Sequence, residues 1–494
     1  MLSNILEALV LIVYGGSLLF LFVYSLSQLH LTWAYLKKPK VQTTPFDVEE
    51  SFKPFVSVQL PVYNEANVVA RLIEQTAAMS YPRDLFEIQV LDDSNDETSK
   101  VIEETIAQLD PNIQIHHIQR SDRTGFKAGA LKYGMETVKG ELIAIFDADF
   151  LPEPDFLEKT VTEFKNPKIG VVQTRWGHLN KEYSLLTKAQ AFGLDAHFTV
   201  EQLGRNNEKC FISFNGTAGI WRKTCIEDAG GWQSDTLTED LDLSYRAQLR
   251  GWEFIFKEDV VSPAELPITM SAFKSQQYRW NKGAAETHLK IWRQVWTSSL
   301  EPKIKFHAMI QLLKGFGFVA SFLLTIVSVP MLYYRIISSP AANLMLQVFS
   351  FTLVCVLILT AFYYASLIRL EPEKQSRFKY FFTRFPGFIA ISMATSLHNT
   401  IAVIEGYLGI KTPFVRTPKF NVLDQSRRKR AFAISVKEVS WLTLFEGLLA
   451  IYFFLAVAMG IFEGIYSFVP FHSLMFTGYL FMFLYAFRSN EPTT

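Results

Sequence analysis

From Ala8 to Leu36 the chain carries no Asp, Glu, Lys or Arg, and no other feature narrows its folding options as far. The run exceeds the ~20 residues that cross a bilayer as a helix. Lys37, Lys38 and Lys40 close it, the pattern of a cytoplasmic membrane edge. With no basic stretch ahead of the run, and an apolar length beyond that of a cleaved leader, residues 1–36 read as a spanning helix.

Five more apolar runs follow. Gly315 to Tyr334, Ile336 to Ile368, Phe385 to Ile404 and Gly464 to Phe487 are uncharged, and Val439 to Ile461 is broken only by Glu446. The connection Ser338 to Asn343 has no Lys or Arg, as an external loop should. The stretch with Arg369, Lys374, Arg377, Lys379 and Arg384 and the stretch from Lys411 to Lys437 are both basic. Both lie on the cytoplasmic side only if residues 385–410 do not cross. Pro386, His398, Asn399 and Glu405 suit that segment to an interfacial or re-entrant helix. Five crossings are therefore expected: residues 1–36, two helices in 315–368 and two in 439–487, with interfacial helices at 301–314 and 385–410.

The formal net charge is zero, with 48 Lys plus Arg against 48 Asp plus Glu. From residue 301 onward nine acids meet eighteen bases, leaving 39 acids and 30 bases before it. Such asymmetry between halves marks two environments. The balance excludes nucleic acid as the simplest partner, since phosphate binding wants a clear basic surplus. Charged residues make up 19% of the chain and mean hydropathy is +0.14, which places part of it in lipid. Three cysteines make no disulfide framework, so the globular part suits a reducing compartment.

Residues 43–300 read as that globular part. Short apolar runs at Val56 to Pro61, Phe86 to Leu91, Ile113 to Ile118 and Leu142 to Phe146 alternate with helical stretches such as Ala66 to Met79 and Thr98 to Leu109. This is α/β alternation, expected to build a mostly parallel sheet. Ligands bind outside the carboxyl ends of such strands, and there the chain places Tyr63-Asn64-Glu65, Asp92-Asp93 and Asp147-Ala148-Asp149. If the chain stays extended through Ala148, Asp147 and Asp149 share a face and reach one hard cation, Mg2+ or Mn2+, bridging a diphosphate; alone, Asp-x-Asp also begins ordinary turns. Asp92 could accept hydrogen bonds from a nucleotide's base or ribose, or cap the next helix.

Arg123-Thr124-Gly125-Phe126-Lys127-Ala128-Gly129-Ala130 opens a helix with two glycines and two cations, suited to a phosphate or to a plain glycine turn. Thr238-Glu239-Asp240 reads as an N-cap with acids in the first turn, or as a general base at Asp240. Gln276-x-x-Arg279-Trp280 sets an Arg and a Trp beside the membrane half, where such a pair also serves as an interfacial anchor.

Taken in order, Asp92-Asp93, Asp147-Ala148-Asp149, Thr238-Glu239-Asp240 and Gln276-x-x-Arg279-Trp280 resemble the signature of processive family 2 glycosyltransferases, the cellulose, hyaluronan and chitin synthase superfamily. The surrounding residues, including Lys127-Ala128-Gly129-Ala130 and Phe214-Asn215-Gly216-Thr217-Ala218-Gly219, look most like cellulose-synthase-like A and C proteins, which make mannan or glucan backbones. Similarity is dense over residues 54 to 290 and returns at Thr412 to Lys419, which resembles a gating loop within the basic segment 411–437.

The resemblance implies an α/β GT-A (Rossmann-like) domain on the cytoplasmic face, an α-helical transmembrane region and transfer of a hexose from UDP-glucose or GDP-mannose to a growing β-glycan. By the same resemblance Asp92, Tyr63, Glu65 and Lys127 hold the nucleotide, Asp147 and Asp149 the diphosphate and metal, and Asp240 is the base. Glu239, Gln276, Arg279 and Trp280 surround the diphosphate and acceptor sugar, and Phe414, Arg416, Thr417 and Lys419 belong to the gating loop. Single-sugar transfer to a lipid acceptor is the alternative. A bacterial plasma membrane is expected over a Golgi membrane because the tails are short.

Overall fold

In the computed structural model the described residues are 2–37, 52–348, 352–371, 373–412, 419, 421 and 440–487. Among them, seven strands form one sheet: β1 (Val56–Val62), β2 (Phe86–Asp92), β3 (Gln114–Gln119), β4 (Leu142–Ile145), β5 (Ile169–His178), β6 (Gly219–Arg222) and β7 (Glu253–Ala264). Their order is β3-β2-β1-β4-β6-β5-β7. The first four pair in parallel. The sheet departs from the expected mostly parallel form at β6, which runs antiparallel to both β4 and β5, while β5 and β7 are parallel.

Period-two alternation sorts the strand residues into two layers. Val58 and Leu60 of β1 join Ile88, Val90 and Ala144 beneath the helices Val69–Ala77 and Phe156–Val161. On the other face Leu91, Ile143, Ile145, Val171 and Trp221 pack on the helices Phe126–Gly134 and Glu239–Leu249. That second core also takes in Tyr35 of the first helix and Phe362 and Ala365 of the Thr352–Leu370 helix, so the sheet domain and the apolar helices share one buried interior. Gly204 lets the domain approach closely, because a Cβ there would stand 2.6 Å from the carbonyl oxygen of Leu31 in the first helix.

Five described segments are long and apolar enough to cross a membrane: Asn4–Lys37, Phe316–Ile336, Pro340–Leu370, Trp441–Phe462 and Val469–Ala486; residues 349–351 of the third are outside the description. The helices Lys374–Ala394 and Ser396–Tyr407 bend by 44° at their junction and would make a sixth span only if taken as one. The helical segment begins at Lys374, ahead of the uncharged run that starts at Phe385, because the charges from Lys374 to Arg384 interrupt hydropathy without interrupting the helix. Pro302–Leu312 is a separate helix before the second span.

Glu446 interrupts the apolar run of the Trp441–Phe462 helix. It is fully buried, and Lys274 Nζ donates to both of its carboxylate oxygens at 2.6 and 2.8 Å.

Candidate active site

One cavity of about 240 Å³ opens at the carboxyl ends of β1, β2 and β4. Tyr63 and Asp93, the first residues past β1 and β2, and Asp147, two past the end of β4, line it together with Glu65 and Lys127. Asp149, Glu239, Asp240 and Lys419 are on the same wall, as are Gln276, Arg279 and Trp280. Tyr63 and Lys419, 356 residues apart in sequence, thus share one space.

The chain does not stay extended through Ala148. Phe150 N donates to Asp147 O at 3.0 Å, closing a turn, yet both carboxylates still reach the cavity. Lys127 Nζ donates to Asp147 Oδ1 at 2.5 Å and to the Gly216 carbonyl at 2.8 Å. Lys419 Nζ lies 2.7 Å from Asp149 Oδ2, which also accepts from Glu265 N. Burial works against both ammonium groups, but Asp147, Glu239 and Asp240 around Lys127, and Asp149, Glu65 and Asp147 around Lys419, hold them protonated above the ordinary lysine range. Asn421 meets Arg71, and Lys419 O accepts from Asn67 at 3.4 Å. Phe414, Arg416 and Thr417 lie outside the described residues.

Asp92 is displaced from its expected role. It is still within the parallel ladder, opposite Val62 and Gln119, and its side chain faces away from the cavity. Ser94 N donates to Oδ1, and the Ser99 hydroxyl, His117 and Gln119 donate to Oδ2. Burial opposes its charge, but those hydrogen bonds prevail and hold the carboxyl well below its ordinary range. Alternation sends the next residue, Asp93, to the cavity, where Arg120 Nε donates to it at 2.8 Å.

Thr238 precedes the Glu239–Leu249 helix without capping it; its hydroxyl meets that of Thr287 at 3.2 Å. Asp240 Oδ1 accepts from Leu241 N at 2.8 Å. Burial first, then the like charge of Glu239, push its carboxyl up to about 7, against the pull of Lys127. Glu239 is raised too, mainly by burial. Arg279 faces the charges of Asp147 and Glu239.

Sequence reasoning missed Trp176 and His178. They sit two apart on β5 and line the cavity, with the Trp176 ring 6.4 Å from Trp280. Period-two spacing at the end of a strand was the available signal. Arg123, noted only as a cation in a glycine turn, stacks over the Tyr63 ring at 3.2 Å. Asn215 is fixed by His197, in the π-helical turn His197–Glu201, and by Gln202.

Residues 54–283 match the model described as glycosyltransferase like family 2. They form a family 2 glycosyltransferase domain. The domain is similar to probable glucomannan 4-beta-mannosyltransferase 4 of Oryza sativa subsp. japonica, at 46% identity over 244 residues, covering 48% of this chain and 44% of the relative. It is also similar to glucomannan 4-beta-mannosyltransferase 2 of Arabidopsis thaliana, at 43% identity over 272 residues, 54% of this chain and 50% of the relative. The chain spans about half the length of the curated relatives it matches. These relatives are plant proteins and give no support to a bacterial plasma membrane. A mannosyltransferase from Pyrobaculum calidifontis, solved in complex with GDP-Man and Mn2+, superposes with a TM-score of 0.56 at 19% identity, over 81% of this chain and all of that one; the likeness establishes the GT-A fold of the glycosyltransferase domain.

The donor set of this domain fits a divalent cation. Among the described residues no three His, Cys, Asp or Glu cluster as a complete metal site. Asp147 and Asp149 supply two hard carboxylates, each now neutralised by a lysine ammonium. Mg2+ at nucleotide sites commonly uses one or two carboxylates and takes its other ligands from phosphates and water.

Proposed function

We propose that this chain is an inverting membrane hexosyltransferase that adds hexose from a nucleotide sugar, GDP-mannose or UDP-glucose, to the non-reducing end of a β-glycan. The observation that carries the reading is the placement of Asp240, a carboxylate without a basic hydrogen-bond partner among the described residues, in the same cavity as Asp147 and Asp149. The mannosyltransferase relatives favour GDP-mannose and a mannan or glucomannan acceptor.

In this reading Tyr63, Glu65, Asp93 and Arg123 surround the nucleoside end, with Asp93 taking the contact expected of Asp92. Lys127 and Arg279 neutralise the departing diphosphate, and Lys419 joins them from the loop. Asp147 and Asp149 hold Mg2+ or Mn2+, which when bound supplies Lewis-acid neutralisation of the leaving group. Asp240 accepts the proton of the acceptor hydroxyl as its oxygen forms the new bond to the anomeric carbon and the bond to diphosphate breaks. One displacement inverts the centre, so an α-linked donor gives a β-linked product. Trp280 and Trp176 offer apolar faces to the acceptor's rings, and Gln276 and Glu239 offer polar groups to its hydroxyls. In the same reading the catalytic domain lies on the cytoplasmic side, as the positive-inside pattern of Lys37 and the basic segment 411–437 favours, and the helices 374–394 and 396–407 stay at the interface. Binding of Glu405 by Tyr278 and Lys282 of the catalytic domain supports that placement.

Purified full-length protein supplied with a panel of nucleotide sugars and β-linked manno- and gluco-oligosaccharides, followed by linkage analysis, tests the reading. A β-1,4-linked hexose added to the non-reducing end is expected; transfer to lipid alone, or none from any donor, would overturn it.

A further inference from the structure

The Met270–Thr297 helix bears the motif residues Gln276, Arg279 and Trp280 on the face that lines the cavity. At 3.6 residues per turn, Lys274, Tyr278 and Lys282 stack on the opposite side. Each meets a membrane-proximal element. Lys274 binds both oxygens of Glu446, Tyr278 binds Glu405, and Lys282 Nζ donates to the Thr412 hydroxyl at 2.9 Å. His398, on the Ser396–Tyr407 helix, also hydrogen-bonds the Lys274 carbonyl at 2.9 Å.

Of these contacts, Lys274–Glu446 is the deepest, with side-chain exposures of 12% and 0%. Glu446 lies in an otherwise uncharged apolar helix, Trp441–Phe462. A buried ion pair is a poor source of net stability, because desolvation offsets its attraction, but its directional bonds admit few alternative registers. Leu449, Ala450 and Phe453 of this helix share one hydrophobic cluster with Met270 and Phe273, and apolar contacts alone tolerate sliding.

We propose that Lys274 and Glu446 are positioning residues that fix the rotation and axial register of the Met270–Thr297 helix against the Trp441–Phe462 helix. They thereby set where Arg279 and Trp280 stand in the cavity. The inference rests on the glycosyl-transfer reading for its consequence, while the register itself is a structural claim measurable without turnover.

Full-length protein in lipid nanodiscs carries both tests. In Glu446→Gln and Lys274→Met, the acceptor KM rises and kcat falls, each on the order of tenfold or more, as expected when Trp280 and the diphosphate-facing Arg279 are misplaced by a fraction of an ångström. The reciprocal exchange, Lys274→Glu with Glu446→Lys, brings acceptor KM back toward wild type. Spin labels at Leu289→Cys and Leu448→Cys, both exposed positions, report the interhelix distance, which broadens or shifts in Glu446→Gln and recovers in the exchange. Should the single variants not accumulate, Lys274→Arg, which keeps the charge and changes the reach, carries the same readouts. Unchanged acceptor KM and unchanged distances, or equal loss of donor and acceptor binding without rescue by the exchange, overturns the proposal. A wild-type protein that transfers no sugar overturns the functional reading and leaves the distance measurement to decide the register.

Discussion

Lys127 Nζ stands 2.5 Å from Asp147 Oδ1, so the carboxylate expected to hold a metal is already paired with an ammonium. Were Asp147 to hold a divalent cation, Lys127 would be free to face phosphate oxygen. The same exchange applies to Lys419 and Asp149, 2.7 Å apart. Lys127 and Lys419 thus set two ammonium groups against two of the seven acids that line the cavity.

Asp147→Ala is therefore expected to reduce Mn2+-dependent binding of a nucleoside diphosphate by more than about tenfold. Titration calorimetry with and without Mn2+ checks it. Equal affinity in the two conditions for both proteins would remove Asp147 from the metal site.

Asp240→Asn is expected to lower transfer by on the order of 10²–10⁴-fold, the usual worth of a general base, and to leave donor binding intact. The wild-type pH profile follows from the carboxyl raised to about 7. The base form is scarce below that value and dominant above it, so the rate climbs with pH and levels off past neutrality. Stability takes the opposite sign. Between the ordinary Asp value near 4 and 7 the folded carboxyl keeps a proton that the unfolded chain has released, so this group's contribution falls as pH rises through that window. Initial rates from pH 5.5 to 8.5 decide the first point, and a flat profile would contradict the assignment.

Gly216→Ala is expected to damage both folding and turnover. Gly216 has φ +80°, and a Cβ there would stand 3.2 Å from Asp240 Oδ2 and 3.5 Å from Lys127 Nζ. The left-handed backbone costs about 1–2 kcal/mol for a non-glycine residue, and the methyl presses on the base and on the lysine that holds Asp147. Thermal unfolding and kcat both report the change; wild-type kcat would mean the base does not work from this position.

Much of the site was legible because its chemistry sits at strand ends. Hydrophobic runs locate β1, β2 and β4, and the residues just beyond them are forced to the carboxyl edge of the sheet. What was hidden depended on side-chain direction within a residue or two. Asp92 and Asp93 differ only in which face of β2 they leave by, and sequence alone does not say where the ladder ends. β6 has four residues, too few to show a period, and with it went the antiparallel turn in the sheet. Trp176 and His178 became visible only once β5 was seen to extend to His178. Glu446 could not be paired with Lys274 from sequence, since 172 positions separate them.

An epitope inserted among residues 425–430 should be digested from the same side of the membrane as one in the exposed Asn95–Glu97 loop. The positive-inside pattern and five crossings require it. Protease protection in oriented vesicles measures it, and opposite sidedness would mean that the bent pair 374–394 and 396–407 spans the bilayer.

Trp280→Ala separates an acceptor role from an anchor role. The ring lines the cavity beside Trp176 and is carried on the helix that Lys274 ties to Glu446. An aromatic face lost from a sugar site forfeits about 1 kcal/mol beyond buried area, or roughly fivefold in affinity. Acceptor KM should therefore rise at least that much, while hydrolysis of the donor in the absence of acceptor continues at the wild-type rate, because Asp147, Asp149 and Lys127 are untouched. If Trp280 only anchored the helix at the membrane, the diphosphate-facing Arg279, one residue away, would move with it, and donor hydrolysis and acceptor transfer would fall together.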